Sequence, residues 1–144
     1  MDELAVEITR DEIDMLLAEA RAVRENAYAP YSRFKVGAAL LGCDGTVYTG
    51  CNVENVSYGL TNCAERTALF KAVSQGHKDF KAVAIFADTD EFCTPCGGCR
   101  QVMAEFGNLL VIQFDKRGEY VINTVAELLP GSFHAGILGK ETVE

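Results

Sequence analysis

Basic residues are scarce in this 144-residue chain: 13 Lys plus Arg stand against 21 Asp plus Glu, a formal charge of −8. A surface of that sign repels phosphate backbones and anionic lipid, which disfavours a nucleic-acid polymer as substrate. Long apolar runs are missing too. No stretch approaches the roughly 18 residues of a membrane span, and the opening Met-Asp-Glu-Leu-Ala-Val-Glu carries acids where a secretory leader carries bases. The expectation is no membrane partner and a cytoplasmic setting. Repeats, low-complexity tracts and linkers are absent, and dividing the chain would leave each half about 70 residues for its own core, so a single domain over 1–144 is expected. Histidine is nearly absent: His77 and His134 both lie near chain breaks without matching partners, and both are read as bystanders.

The chain is otherwise ordinary, with 49% hydrophobic and 24% charged residues, which argues for a soluble globular domain. Its conspicuous possession is six cysteines. In a short secreted chain these would suggest disulfides, whereas in a reducing compartment they point to metal ligands or catalytic thiolates.

Apolar spacing and turn signals lay out the elements. Thr9-Arg-Asp-Glu12 fits a capping box, and Ile13, Leu16, Leu17, Ala20, Val23 and Ala27 recur at helical spacing, predicting a helix over about 10–27. Two antiparallel strands, 34–41 and 47–53, flank the turn signal Asp44-Gly45. A helix over about 63–76 follows, then a strand at 82–87 that reads as buried on both faces. A second motif-bearing helix begins near Cys96 or Gly97 and runs to about Phe106, preceded by Pro95, a residue suited to a first helical turn. Strands at 109–114 and 120–124 and a short capped helix to Leu129 complete the order α-β-β-α-β-α-β-β-α. That order predicts a three-layer α/β fold, one five-stranded mixed sheet with helices on both faces.

The cysteines fall at telling places. Cys63-Ala64-Glu65 opens one helix and Pro95-Cys96-Gly97-Gly98-Cys99 opens another, so three thiols can converge at two helix starts. Helix starts favour thiolates through the macrodipole and free N–H groups. Three Cys ligands around one tetrahedral Zn²⁺ leave a fourth position open, the pattern of a catalytic site rather than a closed structural one. Glu65, two residues from Cys63, is poorly placed to bind the same ion and well placed to carry protons beside it. Zn²⁺ with three thiolates carries a net charge of −1, and the adjacent Arg66 guanidinium can offset it.

Cys63-Ala-Glu65 followed by Pro95-Cys-x-x-Cys99 resembles the signature of the zinc nucleoside and nucleotide deaminases. The stretch from Gly50 to Arg66 and the tail Leu128-Leu-Pro-x-x-Phe133 are similar to the small homotetrameric cytidine deaminases, over roughly residues 10 to 135 and with no motif position substituted. The resemblance implies hydrolysis of cytidine and 2′-deoxycytidine in pyrimidine salvage, with one zinc per chain on Cys63, Cys96 and Cys99 and Glu65 as proton shuttle. It implies further that Asn52 and Glu54 bind the ribose, Phe34 walls the base pocket, and the Ala64 N–H meets the base. Arg66 would stand behind the thiolates. Phe133 and Tyr58 would reach across subunit interfaces of a homotetramer with shared sites.

Blander readings stand beside this one. Cys93-Thr-Pro-Cys96 is a second C-x-x-C, so a redox pair or a structural zinc knuckle competes, although neither accounts for Glu65. Cys43, Cys51 and Cys93 are read as small buried thiols without chemistry. Within enzymes the rival is a relative acting on another aminopyrimidine nucleoside or a nucleotide. No glycine loop suited to phosphate is present to support the latter.

Overall fold

The computed structural model describes residues 7–139. Its five strands form one mixed sheet in the order β2-β1-β3-β4-β5, built from β1 (Val36–Gly42), β2 (Val47–Cys51), β3 (Phe80–Ala87), β4 (Leu110–Phe114) and β5 (Tyr120–Thr124). Only β3 and β4 pair in parallel; the other three pairings are antiparallel. The parallel pair is joined by a connection long enough to hold a helix, as parallel pairing requires. That helix is α3 (Gly97–Ala104).

Alternation along the central strands sorts side chains to two faces. Ala82, Ala84 and Phe86 of β3 point to the side covered by α1 (Arg10–Arg24), where Ile13, Leu16 and Ala20 are buried. Val83 and Ile85 point to the other side, covered by α2 (Ala64–Ser74) and α3, with Ala68, Leu69, Ala72 and Met103 in the same cluster. Both faces of β3 are thus dry, and the expected three layers are present. Two glycines permit the closest approaches. A Cβ on Gly37 would lie 2.0 Å from the Ala20 carbonyl of α1, and one on Gly50 2.4 Å from the Ala68 amide of α2.

Pairing register explains why two helix starts meet. β2 and β3 both run antiparallel to β1, and Gly37 of β1 faces both Cys51 at the end of β2 and Phe86 near the end of β3. The two strands therefore finish at the same end of the sheet. The segments that follow lead there into α2 and α3.

Both expected capping boxes are formed, Thr9 with Glu12 and Thr124 with Glu127, the latter opening α4 (Val125–Leu128). Element ends differ from the sequence reading. Helix α1 stops at Arg24 because Glu25, Asn26 and Ala27 donate three residues back instead of four, and the Tyr28 N–H then leaves for the Asn52 carbonyl. The hairpin turn is wider than Asp44-Gly45, since the Gly42 N–H reaches the Thr46 carbonyl at 2.8 Å and Gly45 takes a φ of 91°. Strand β1 begins at Val36, two residues late, because side chains rather than a neighbouring strand satisfy the Phe34 backbone. Pro95 lies outside the first turn of α3. Cys96 keeps an extended backbone as the N-cap, and the Pro95 carbonyl accepts from Arg100 Nε at 2.8 Å.

Candidate metal centre and substrate cleft

Cys63 and Cys96 are the N-caps of α2 and α3, both extended, and neither side chain caps a backbone N–H of its helix. Their sulfurs are free to face each other, with Sγ atoms 3.7 Å apart. Cys99, in the first turn of α3 and fully buried, completes a trio whose ligand atoms all lie within 4.8 Å of one another. Tetrahedral zinc, with Zn–S bonds of about 2.3 Å, sets its sulfurs about 3.8 Å apart. The donor set therefore fits that ion in kind and in spacing. All six cysteines are free thiols.

Proton sharing within the trio follows from its crowding. The Cys99 thiol and the Arg66 guanidinium both donate toward Cys63, which lowers the Cys63 thiol to about 5 against the opposing effect of burial. Cys99 moves the other way, because that hydrogen bond and burial both hold its proton. Arg66 Nη2 sits 3.2 Å from Cys63 Sγ, and its buried Nε has no hydrogen-bond partner among the described residues. The guanidinium charge is thus aimed at the thiolates, where a cluster of net negative charge benefits from it.

Glu65 is the second residue of α2 and only 5% exposed. Burial pushes its carboxyl up to about 7, and the neighbouring Cys63 charge adds to the rise. A carboxyl poised there can take and return a proton near neutral pH. Cys93 is pushed up to about 12, chiefly by burial, and packs against the core. It stands outside the trio, as an inert thiol would.

The remaining sequence candidates fall in several places. Ala64 is buried as the first residue of α2, where N–H groups lack intrahelical acceptors. Phe34 is 46% exposed and lines a cavity of about 570 Å³ with Phe92, Cys93 and the loop before them. Glu54 and Tyr58 line another of about 340 Å³ with Tyr31, Ser32 and Thr61. Asn52 is buried, and its amide is engaged within the chain: Oδ1 accepts from the Val36 N–H at 2.9 Å and Nδ2 donates to the Phe34 carbonyl at 2.8 Å. It therefore holds Phe34 in place. Phe133 is 56% exposed, its carbonyl held by Gln101 Nε2 at 2.8 Å.

Three residues with supporting roles escaped the sequence reading. Arg100 ties α3 to the Leu128 carbonyl at 2.8 Å, and Gln101 ties it to the Phe133 tail. Ser32 bonds to the Glu54 carboxylate. The first two are signalled only by directly following Cys99, and the third by lying two residues before Phe34.

Comparison with known proteins agrees with this geometry. Residues 10–114 match the family described as the cytidine and deoxycytidylate deaminase zinc-binding region. The chain is 56% identical to a cytidine deaminase of Sporosarcina psychrophila, over 85% of this chain and 91% of that one. It is 58% identical to a cytidine deaminase of Halalkalibacterium halodurans, over 84% of this chain and 93% of that one. The crystal structure of cytidine deaminase from Burkholderia pseudomallei superposes with a TM-score of 0.82 at 49% identity, covering 88% of this chain and 100% of that one. A zinc-binding region matched from end to end of the three-thiol cluster, on the same fold, leaves one assignment: the chain belongs to the cytidine and deoxycytidylate deaminase family.

Proposed function

We propose that this chain hydrolyses cytidine and 2′-deoxycytidine to uridine and 2′-deoxyuridine, releasing ammonia. The observation that carries the reading is the meeting of three thiol sulfurs within 4.8 Å at two helix starts, with Glu65 buried in the first turn of one of them. The names of the relatives above support the substrate. Zinc bound by Cys63, Cys96 and Cys99 supplies the Lewis acidity that makes water acidic enough to attack near neutral pH.

The residues of the chain do the rest. Glu65 accepts one proton of the attacking water and delivers it to N3 of the base, then takes the remaining proton from the new C4 hydroxyl to the departing amine, so that the C4 carbonyl forms as the C4–N bond breaks. The Ala64 N–H, free at the helix start, donates to the base O2. Phe34 walls the base, Glu54 accepts from a sugar hydroxyl, and Asn52 orients Phe34. Arg66 offsets the surplus negative charge of the thiolates. Tyr58 and Phe133, 74% and 56% exposed, complete the site of a neighbouring subunit in a homotetramer. Drying the site in this way strengthens every charge interaction within it.

A single domain acting in the cytoplasm completes the proposal; among the described residues no helix is long and apolar enough to cross a membrane. Ultraviolet assays with cytidine, deoxycytidine, cytosine and dCMP test the substrate class. The two nucleosides are expected to be consumed with release of ammonia and the others to be poor. Preference for dCMP would overturn the nucleoside reading.

A further inference from the structure

The loop from Tyr28 to Val36 is stitched to residues 52–54 along its length. The Tyr28 N–H donates to the Asn52 carbonyl at 3.0 Å, and the Glu54 N–H returns to the Tyr28 carbonyl at 2.8 Å. The Glu54 carboxylate then accepts three donors from one dipeptide. Its Oε1 takes the N–H groups of Tyr31 and Ser32 at 3.0 and 3.1 Å, and its Oε2 takes the Ser32 hydroxyl. The Ser32 oxygen itself accepts the Phe34 N–H at 3.0 Å. One hydroxyl thus joins the carboxylate assigned to the sugar and the backbone of the ring assigned to the base. Between the two bonded residues, Arg33 holds a φ of 61°, the sole positive value on a non-glycine residue among the described residues. Such a conformation persists only where its surroundings enforce it.

We propose that Ser32 is a positioning residue: by bridging Glu54 and Phe34 it sets the spacing between the sugar-binding acceptor and the base wall, and so makes the site selective for hydroxyl-bearing nucleosides. The inference rests on the nucleoside-deaminase reading and deepens it. A carboxylate has about four acceptor sites. Two on Oε1 and one on Oε2 are occupied, which leaves one on Oε2 beside the cavity lined by Tyr31, Ser32, Tyr58 and Thr61. A single remaining acceptor suits a single hydroxyl donor. The Ser32 hydroxyl has one proton and gives it to Glu54, so it cannot turn toward substrate without releasing the carboxylate. The same donor holds the Glu54 carboxyl below its ordinary range, so it remains an acceptor.

The test compares zinc-loaded wild type, Ser32→Ala and Ser32→Thr on cytidine and on 2′,3′-dideoxycytidine. A hydrogen bond to a charged group lost from the binding apparatus corresponds to about tenfold in affinity. Ser32→Ala is expected to raise KM for cytidine about tenfold with kcat nearly unchanged, to cost dideoxycytidine clearly less because only the base wall is loosened for it, and to be rescued by Ser32→Thr. In a Glu54→Gln background Ser32→Ala should add no further loss. Equal losses on both substrates, or an unchanged KM for cytidine, overturn the proposal. Amide hydrogen exchange at Phe34 needs no turnover: unchanged exchange in Ser32→Ala overturns the bridge itself. Absence of cytidine turnover by wild type instead overturns the nucleoside reading on which the specificity claim rests.

Discussion

Glu65 is held where the fold disfavours its charge. Its folded value of about 7 lies above the ordinary 4.5, so the folded metal-free chain binds that proton more tightly than the unfolded chain. The resulting stability is complete below about 4.5 and is lost as pH rises through about 7. Glu65→Gln should therefore stabilise the metal-free protein at pH 8, by up to about 3 kcal/mol, and give no gain at pH 4. Urea unfolding of both proteins at the two pH values measures this. Equal stability at pH 8 would show that the carboxyl finds compensation in the folded state. At this scale the sequence was most legible where spacing alone carries chemistry, as with Cys63, Glu65, Cys96 and Cys99. It was least legible where partners are distant in sequence. Asn52 reads as a sugar ligand, and nothing local announces that its amide is also bonded to the backbone of Phe34 and Val36, 18 and 16 residues away.

Helices α1 and α2 each press on a glycine of the sheet, and the two contacts have different consequences. An added Cβ at Gly37 meets the backbone of α1 on the face away from the cysteines. One at Gly50 meets the Ala64 carbonyl at 2.6 Å and the Ala68 amide at 2.4 Å, on the first turns of α2 that carry Cys63 and Glu65. Backbone cannot yield as a side-chain tip can, so each change to Ala should destabilise by roughly 2 kcal/mol or more. Gly50→Ala should in addition weaken zinc retention and turnover of the folded fraction, while Gly37→Ala leaves both near wild type. Zinc content and specific activity of the refolded variants distinguish them, and identical losses would contradict the assignment of α2 as the carrier of the site. Element identity was legible from periodicity and capping boxes. Element ends were not, because α1 and β1 terminate on hydrogen bonds to Asn52 that no local pattern announces.

At the scale of the whole molecule, apolar side chains stay uncovered in the 56–60 segment and in the tail: Val56, Tyr58, Leu60, Phe133, Ile137 and Leu138 are each more than half exposed. Patches of this kind mark association surfaces, in keeping with the proposed homotetramer. If sites are shared, mixing a Glu65→Gln chain with a chain ending before Phe133, each inactive alone, should restore part of the activity after subunit exchange. Lack of rescue with exchange verified by mass would mean that each chain holds a complete site. The layered fold was legible in the order of elements and the doubly buried strand at 82–87. The shared end of β2 and β3, which brings the two helix starts together, emerges only from the pairing register.

Activity depends above all on the division of labour between the sulfur trio and the carboxyl beside it. Zinc per chain should be measured together with ammonia release from cytidine, for wild type and Glu65→Gln. One zinc per chain is expected in both, with turnover reduced in the variant by a factor of about 10²–10⁴. Near-normal turnover by zinc-loaded Glu65→Gln, or full activity in wild type stripped of zinc, would contradict it.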